Sequence, residues 1–242
     1  ILIQVPQVPL ELIEPEVAKS RGYFAYPPHA LFYLAATFRG LGLETRLLDL
    51  NFVTLDAAQK GKDAVLPAWE AALQEALAGI DKPVIGVSLM FDNTYAEFMR
   101  VCRRIRELKP DAAIFAGGVA ASADPEKILD DGLADLVFCH EGEGGIESFY
   151  AWHRGERRTG PINIAFKDLK GRHLTTPMHS GGEVDLDIRD EIGKVPISLY
   201  HRQGSLSNFS RMNGIDVPFA TVLSRRGCRA RCSFCGVRNF NG

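Results

Sequence analysis

Along the first 155 residues the apolar positions recur at two alternating spacings. Short runs over residues 1–5, 45–49, 84–89, 112–115 and 135–138 read as strands, and the run at 84–89 is apolar enough for a strand buried on both faces. Between these runs the spacing changes to that of a helix. Over residues 28–39, Leu31, Leu34, Ala35 and Phe38 fall on one face, and similar patterns cover 64–77, 95–108, 125–130 and 143–152. Gly40 and Gly42 punctuate the first helix-to-strand join, and Asp124 is placed to cap the helix at 125–130. Strands alternating with helices predict an α/β fold, a doubly wound five-stranded parallel sheet of the flavodoxin-like type, over residues 1–155.

The pattern then weakens. Residues 156–217 are polar and glycine-rich, with one short hairpin over 166–174 that turns at 168–171. Their low apolar content predicts a connector without a core of its own, running over the surface or between two larger regions, with His173, His179 and His201 in solvent. Residues 218–242 form the third region, in which Thr221-Val222-Leu223 reads as a short strand leading into a cysteine loop.

That loop, Cys228-Arg229-Ala230-Arg231-Cys232-Ser233-Phe234-Cys235, carries the most specific chemistry of the chain. A Cys-x-x-x-Cys-x-x-Cys spacing brings three thiolates onto one small surface. Clusters dedicated to electron transfer are held by four cysteines, so three thiolates on a 4Fe-4S cubane leave one iron open to a reacting ligand. Arg225, Arg226, Arg229 and Arg231 flank the thiolates and would favour the reduced, more negative cluster. The alternatives are a solvated basic loop, a zinc site or a disulfide. Zinc needs a fourth ligand, and Cys102 and Cys139 lie singly and far upstream with His201 as the nearest upstream imidazole. A disulfide would need an oxidising compartment, whereas five scattered cysteines without a signal peptide fit a reduced, cytoplasmic one.

The cysteine spacing resembles the radical S-adenosylmethionine superfamily. The resemblance implies S-adenosylmethionine on the open iron, Phe234 against its adenine, an electron donor such as flavodoxin or ferredoxin, and a (β/α) barrel core of which 218–242 is the start. A barrel needs on the order of 200 further residues. A chain that begins inside a strand without methionine and ends seven residues after Cys235 therefore reads as a fragment.

Three loops at the expected carboxyl ends of strands are ligand candidates: Ser88-Leu89-Met90, Gly117-Gly118, and His140-Glu141-Gly142-Glu143-Gly144-Gly145. Twenty-six residues lie between Met90 and Gly117. This spacing resembles the Ser-x-Leu and Gly-Gly elements of cobalamin-binding domains, with Met90 in the place of leucine. Pro27-Pro28 opening a helix that contains Tyr33-Leu34-Ala35-Ala36, and the Glu-Gly-Glu turn, are similar to cobalamin-dependent radical enzymes. The resemblance implies a cobalamin site at Ser88, Met90, Gly117, Gly118, Glu141, Gly142 and Glu143. Glycines admit close approach of backbone to a flat corrin, and a serine hydroxyl can bond its dimethylbenzimidazole. The chain has no Asp-x-His-x-x-Gly string; His29 lacks the flanking aspartate and glycine, and a cobalt without a protein histidine is expected. The plainer reading is that these glycines only form tight turns of an empty flavodoxin-like domain. Cys102 and Cys139 read as buried thiols.

Composition narrows the classes. With 46% hydrophobic and 24% charged residues and a formal net charge of -2, the chain is an ordinary globular sequence with no electrostatic reason to bind nucleic acid. No apolar run approaches the ~18 residues of a membrane span. The resemblances together imply a cobalamin-dependent radical enzyme acting on a small molecule, a methyltransferase at an unactivated carbon or phosphorus. A ring-forming cyclase of the tetrapyrrole type is the alternative within that class. A cobalamin-binding or regulatory module with a zinc-binding cysteine loop is the alternative outside it.

Overall fold

In the computed structural model, the described residues are 1–179, 185–206, 210, 212, 217–219, 221, 227, 230 and 232–235. The chain opens with β1 (Leu2–Gln4), α1 (Pro15–Lys19), α2 (His29–Gly40), β2 (Leu47–Asp49), α3 (Leu50–Lys60) and α4 (Val65–Leu77). It continues with β3 (Val84–Ser88), α5 (Tyr95–Leu108), β4 (Ala113–Gly117), α6 (Val119–Ala123), α7 (Pro125–Asp130), β5 (Leu136–Phe138) and α8 (Gly142–His153). A hairpin of β6 (Ile164–Lys167) and β7 (His173–Thr175) follows, then the short helices α9 (Arg189–Ile192) and α10 (Tyr200–Gln203). Among the described residues no helix is long and apolar enough to cross a membrane.

The strands form one sheet in the order β2-β1-β3-β4-β5-β6-β7. The first five pair in parallel, as the apolar runs predict. β1, β2, β4 and β5 contribute apolar residues to both faces, as a parallel sheet covered by helices requires. β3, read from its apolar run as buried on both faces, carries its buried apolar residues on one, with Val84 53% exposed on the other. On one face Ile3, Ile85, Val87, Ile114 and Val137 pack with Trp69 and Leu73 of α4, Phe98 and Ile105 of α5, and Ile128 of α7. On the other, Leu2 meets Leu31 and Ala35 of α2, while Leu136 and Phe138 meet Ile146 of α8.

Five helices, α1, α3, α6, α9 and α10, are absent from the predicted pattern. The longest of them, α3, starts directly after β2, where the Asp49 carboxylate accepts the backbone N–H groups of Asn51 and Phe52 and so caps it. Val53 and Thr54 lower its helix propensity, and burial of Leu50, Leu55, Ala57 and Ala58 supplies the stability instead.

Residues 164–206, read from the sequence as a connector without a core of its own, are joined to the sheet and to two of its helices. The predicted hairpin exists, turning through Gly171 at φ 75° with the Gly171 N–H donating to the Asp168 carbonyl at 2.9 Å. It does not lie free: β6 joins β5 antiparallel, so β5 is not an exposed edge. Residues 187–206 pack back on α2 and α3. Ile188, Ile192, Val195, Ile197 and Tyr200 share a cluster with Phe32 and Leu55, and their wide spacing among polar residues hides the face they make together. The fully buried Glu191 carboxylate is paired with Arg39 at 2.8 Å. His201, expected in solvent, is 7% exposed. His173 is half-buried beside Asp130 and His179 is exposed.

Candidate cofactor site at the carboxyl edge of the sheet

In the strand order 2-1-3-4-5 the winding direction reverses between β1 and β3, and ligands of such sheets bind at that switch point, beyond the carboxyl ends of the strands. The last register row here is Asp49, Gln4, Ser88 and Gly117, each paired with the next across β2, β1, β3 and β4. These residues lie two positions after Leu47, Leu2, Gly86 and Phe115, hence on the α2 and α8 face. That face changes from apolar to small and polar just where α2 and α8 begin.

Ser88 is 9% exposed, and its hydroxyl has no protein partner among the described residues. Gly117 is not demanded by packing, because a Cβ there would meet only the Phe138 carbonyl, at an ordinary 3.6 Å. Gly118 is different. It has φ 105°, and a Cβ would lie 2.4 Å from the Leu89 oxygen, so the backbones after β3 and β4 touch in a way only glycine permits. The Leu89 N–H donates to the Gly117 carbonyl at 2.7 Å, which fixes the half-buried Met90 beyond it.

The third loop is tied to the second through a residue that sequence reasoning missed. The Ser122 hydroxyl donates to the Gly118 carbonyl at 2.9 Å and accepts the His140 N–H at 3.0 Å. His140 turns the chain with φ 58°, and Glu141 then precedes α8 as its N-cap residue. Glu143, 7% exposed, sits in the first turn, where a carboxylate interacts favourably with the helix dipole. Gly142 admits the neighbouring helix: a Cβ there would meet Leu34 of α2 at 3.0 Å. Of the residues predicted for a cofactor, Ser88, Met90, Gly117, Gly118, Glu141, Gly142 and Glu143 thus fall at three strand-to-helix junctions along one edge.

His29, the first residue of α2, has its Nε2 hydrogen-bonded to Thr221 Oγ1, while Nδ1 is buried without a partner among the described residues. Burial lowers the pKa of this imidazole. Asp49 is 6% exposed, and desolvation raises its carboxyl pKa to about 6 against the hydrogen bonds from Tyr200, Phe52, Asn51 and Gln4. The folded chain therefore holds this proton more tightly than the unfolded chain. The resulting stability is fully present below pH 3.8 and is lost as pH rises through about 6. Relative to Asp49→Asn, wild-type stability is expected to fall by up to about 3 kcal/mol across that window in urea titrations at a series of pH values. A difference that stays flat with pH would contradict the assignment.

Of the cysteine loop, Cys232, Ser233, Phe234 and Cys235 are described. They form a turn in which the Cys235 N–H donates to the Cys232 carbonyl at 3.2 Å, with both thiols exposed and Phe234 90% exposed. Cys228, the arginines at 225, 226, 229 and 231, and Val222-Leu223 of the predicted strand lie outside the described residues. Cys102 and Cys139 are buried thiols, as expected, with pKa values pushed up by burial to about 12 and about 11.

Comparison with known proteins bears on this edge. The chain is 26% identical over 245 residues to cytidylyl-2-hydroxyethylphosphonate methyltransferase of Streptomyces wedmorensis, an alignment covering 89% of this chain and 45% of the relative. Its fold is similar to the radical S-adenosylmethionine methyltransferase TsrM of Kitasatospora setae, solved with cobalamin and a 4Fe-4S cluster bound. That similarity has a TM-score of 0.61 and 20% identity, over 100% of this chain and 42% of that one. It is also similar to the cobalamin-dependent S-adenosylmethionine radical enzyme OxsB with aqua-cobalamin and S-adenosylmethionine bound. There the TM-score is 0.55 and the identity 18%, over 97% of this chain and 28% of that one. The chain thus spans less than half the length of each relative. Residues 17–149, from α1 to the third of the stitched loops and its helix, match the B12 binding domain, and the chain belongs to that family.

Proposed function

We propose that the chain is the cobalamin-binding part, with the start of the cluster-binding part, of a cobalamin-dependent radical S-adenosylmethionine methyltransferase. The observation that carries this reading is the carboxyl-edge row, small and polar on one face and stitched to its neighbours by the Leu89–Gly118 contact, in a chain of the B12-binding family. The residues fit the cofactor. Ser88 offers an unengaged hydroxyl to a nitrogen of the nucleotide tail, Gly117 leaves room beside it, and Met90 supplies apolar contact. Glu141, Gly142 and Glu143 close the third loop. Cys228, Cys232 and Cys235 would hold a 4Fe-4S cluster and Phe234 would pack on the adenine of S-adenosylmethionine. Bound cobalamin supplies a methyl-carrying cobalt, and the cluster supplies the electron that cleaves S-adenosylmethionine. The small-molecule acceptor would be methylated at an unactivated carbon or phosphorus, in the cytoplasm, with flavodoxin or ferredoxin as electron donor.

The test uses the full-length protein, reconstituted anaerobically with iron, sulfide and hydroxocobalamin, then given a reductant and S-adenosylmethionine. Formation of 5'-deoxyadenosine that requires the cluster, and of S-adenosylhomocysteine that requires the corrin, is expected. A protein that binds zinc in place of iron, or that leaves S-adenosylmethionine intact, would contradict the reading.

A further inference from the structure

The polar row at the switch point contains a residue that neither the loop spacing nor the family match singles out. Gln4 ends β1 between Asp49 and Ser88, and is 6% exposed. Its Nε2 donates to Asp49 Oδ1 at 3.3 Å. The same oxygen accepts the N–H groups of Asn51 and Phe52 at 2.9 and 3.2 Å, and Oδ2 accepts the Tyr200 hydroxyl at 2.6 Å. Four donors therefore converge on one carboxylate. An ionised carboxylate can only accept, so the Gln4 amide must present its NH2 to Asp49 and turn its carbonyl away. That carbonyl has no partner among the described residues, on the face that also carries Ser88.

We propose that Gln4 is a fixed hydrogen-bond acceptor for cobalamin, taking an N–H of one peripheral carboxamide, and that Asp49 and Tyr200 are the positioning residues that aim it. The proposal rests on the cobalamin reading above and adds this chain's own selectivity to it. The corrin rim bears carboxamides, whose NH2 groups suit a carbonyl acceptor, whereas a carboxylate in the same place would face both that carbonyl and the negative Asp49. The arrangement also links the site to residues 187–206. Tyr200 lies in α10 and is 1% exposed, so the segment leading toward the cysteine loop is anchored to the same row that would hold the corrin.

The full-length protein is titrated with hydroxocobalamin at neutral pH, as wild type, Gln4→Met, Tyr200→Phe and the double variant. Gln4→Met is expected to weaken binding about tenfold, and Tyr200→Phe by a smaller factor. The double variant should bind no more weakly than Gln4→Met alone, because Tyr200 acts only through Gln4. Losses that multiply would assign Tyr200 a merely structural role and overturn the positioning chain. A second measurement stands on the wild type even if a variant fails to fold. Cobalamin derivatives with a single carboxamide hydrolysed to carboxylate should include one that binds about tenfold more weakly than the parent, and Gln4→Met should lose that discrimination. Uniform binding of all derivatives, or unchanged binding by Gln4→Met, would overturn the proposal and leave the cobalamin reading standing. No binding of hydroxocobalamin by wild type would overturn both.

Discussion

Gly118→Val is expected to abolish cobalamin uptake, lowering affinity for hydroxocobalamin by roughly a hundredfold or more. The physical cause is backbone against backbone. At φ 105° a Cβ would stand 2.4 Å from the Leu89 carbonyl oxygen, and no rotamer change relieves a clash with a main-chain atom. Either Leu89 moves, taking Ser88 and Met90 with it, or the residue leaves its conformation and breaks the Ser122 link to the third loop. Strain of this kind costs about 1–3 kcal/mol, so the melting temperature should fall as well while the far-ultraviolet spectrum keeps its α/β shape. Gly132→Ala is the matched control: its φ is 68°, but nothing lies within 4 Å of its Cβ position. It should cost about 1 kcal/mol of stability and leave cobalamin binding unchanged. Equal effects of the two substitutions on binding would show that the edge holds no ligand.

The second large effect is expected at Cys235. In Cys235→Ala, iron and sulfide after anaerobic reconstitution should fall nearly to zero, because two remaining thiolates of the loop cannot retain a cubane that three hold with one iron open. Hydroxocobalamin binding should persist, since the three loops proposed for the corrin lie within residues 88–145, outside the cysteine loop. Full iron retention in this variant would contradict a cluster at Cys228, Cys232 and Cys235. Zinc retention by wild type would replace the cluster with a structural metal.

Much of this architecture can be read from residue order, and the remainder is hidden for physical reasons. The five parallel strands are legible because each is a short apolar run set off by glycine or by a helical period, and their positions agree with the sheet to within about two residues at the boundaries. Gly118 is legible as a loop glycine, though not as a contact with Leu89, which only the fold brings to it. The helix α3 is not legible, since Asp49 closes a strand and caps a helix at once, and Val53 and Thr54 argue against helix locally. The packing of residues 187–206 is not legible in averaged composition. Their few apolar side chains are spread over irregular backbone yet meet on one surface of α2 and α3. Gln4, Asp49 and Ser122 leave no signal of their own, because a polar residue at a strand or helix end looks the same whether it faces solvent or completes a site.

Dialysis tests most directly whether the switch-point edge is a corrin site. Wild-type chain equilibrated with hydroxocobalamin, then dialysed exhaustively, is predicted to retain about one corrin per chain by its visible absorbance, as a single saturable site would. Retention no greater than that of Gly118→Val, with wild type shown to be folded, would contradict it.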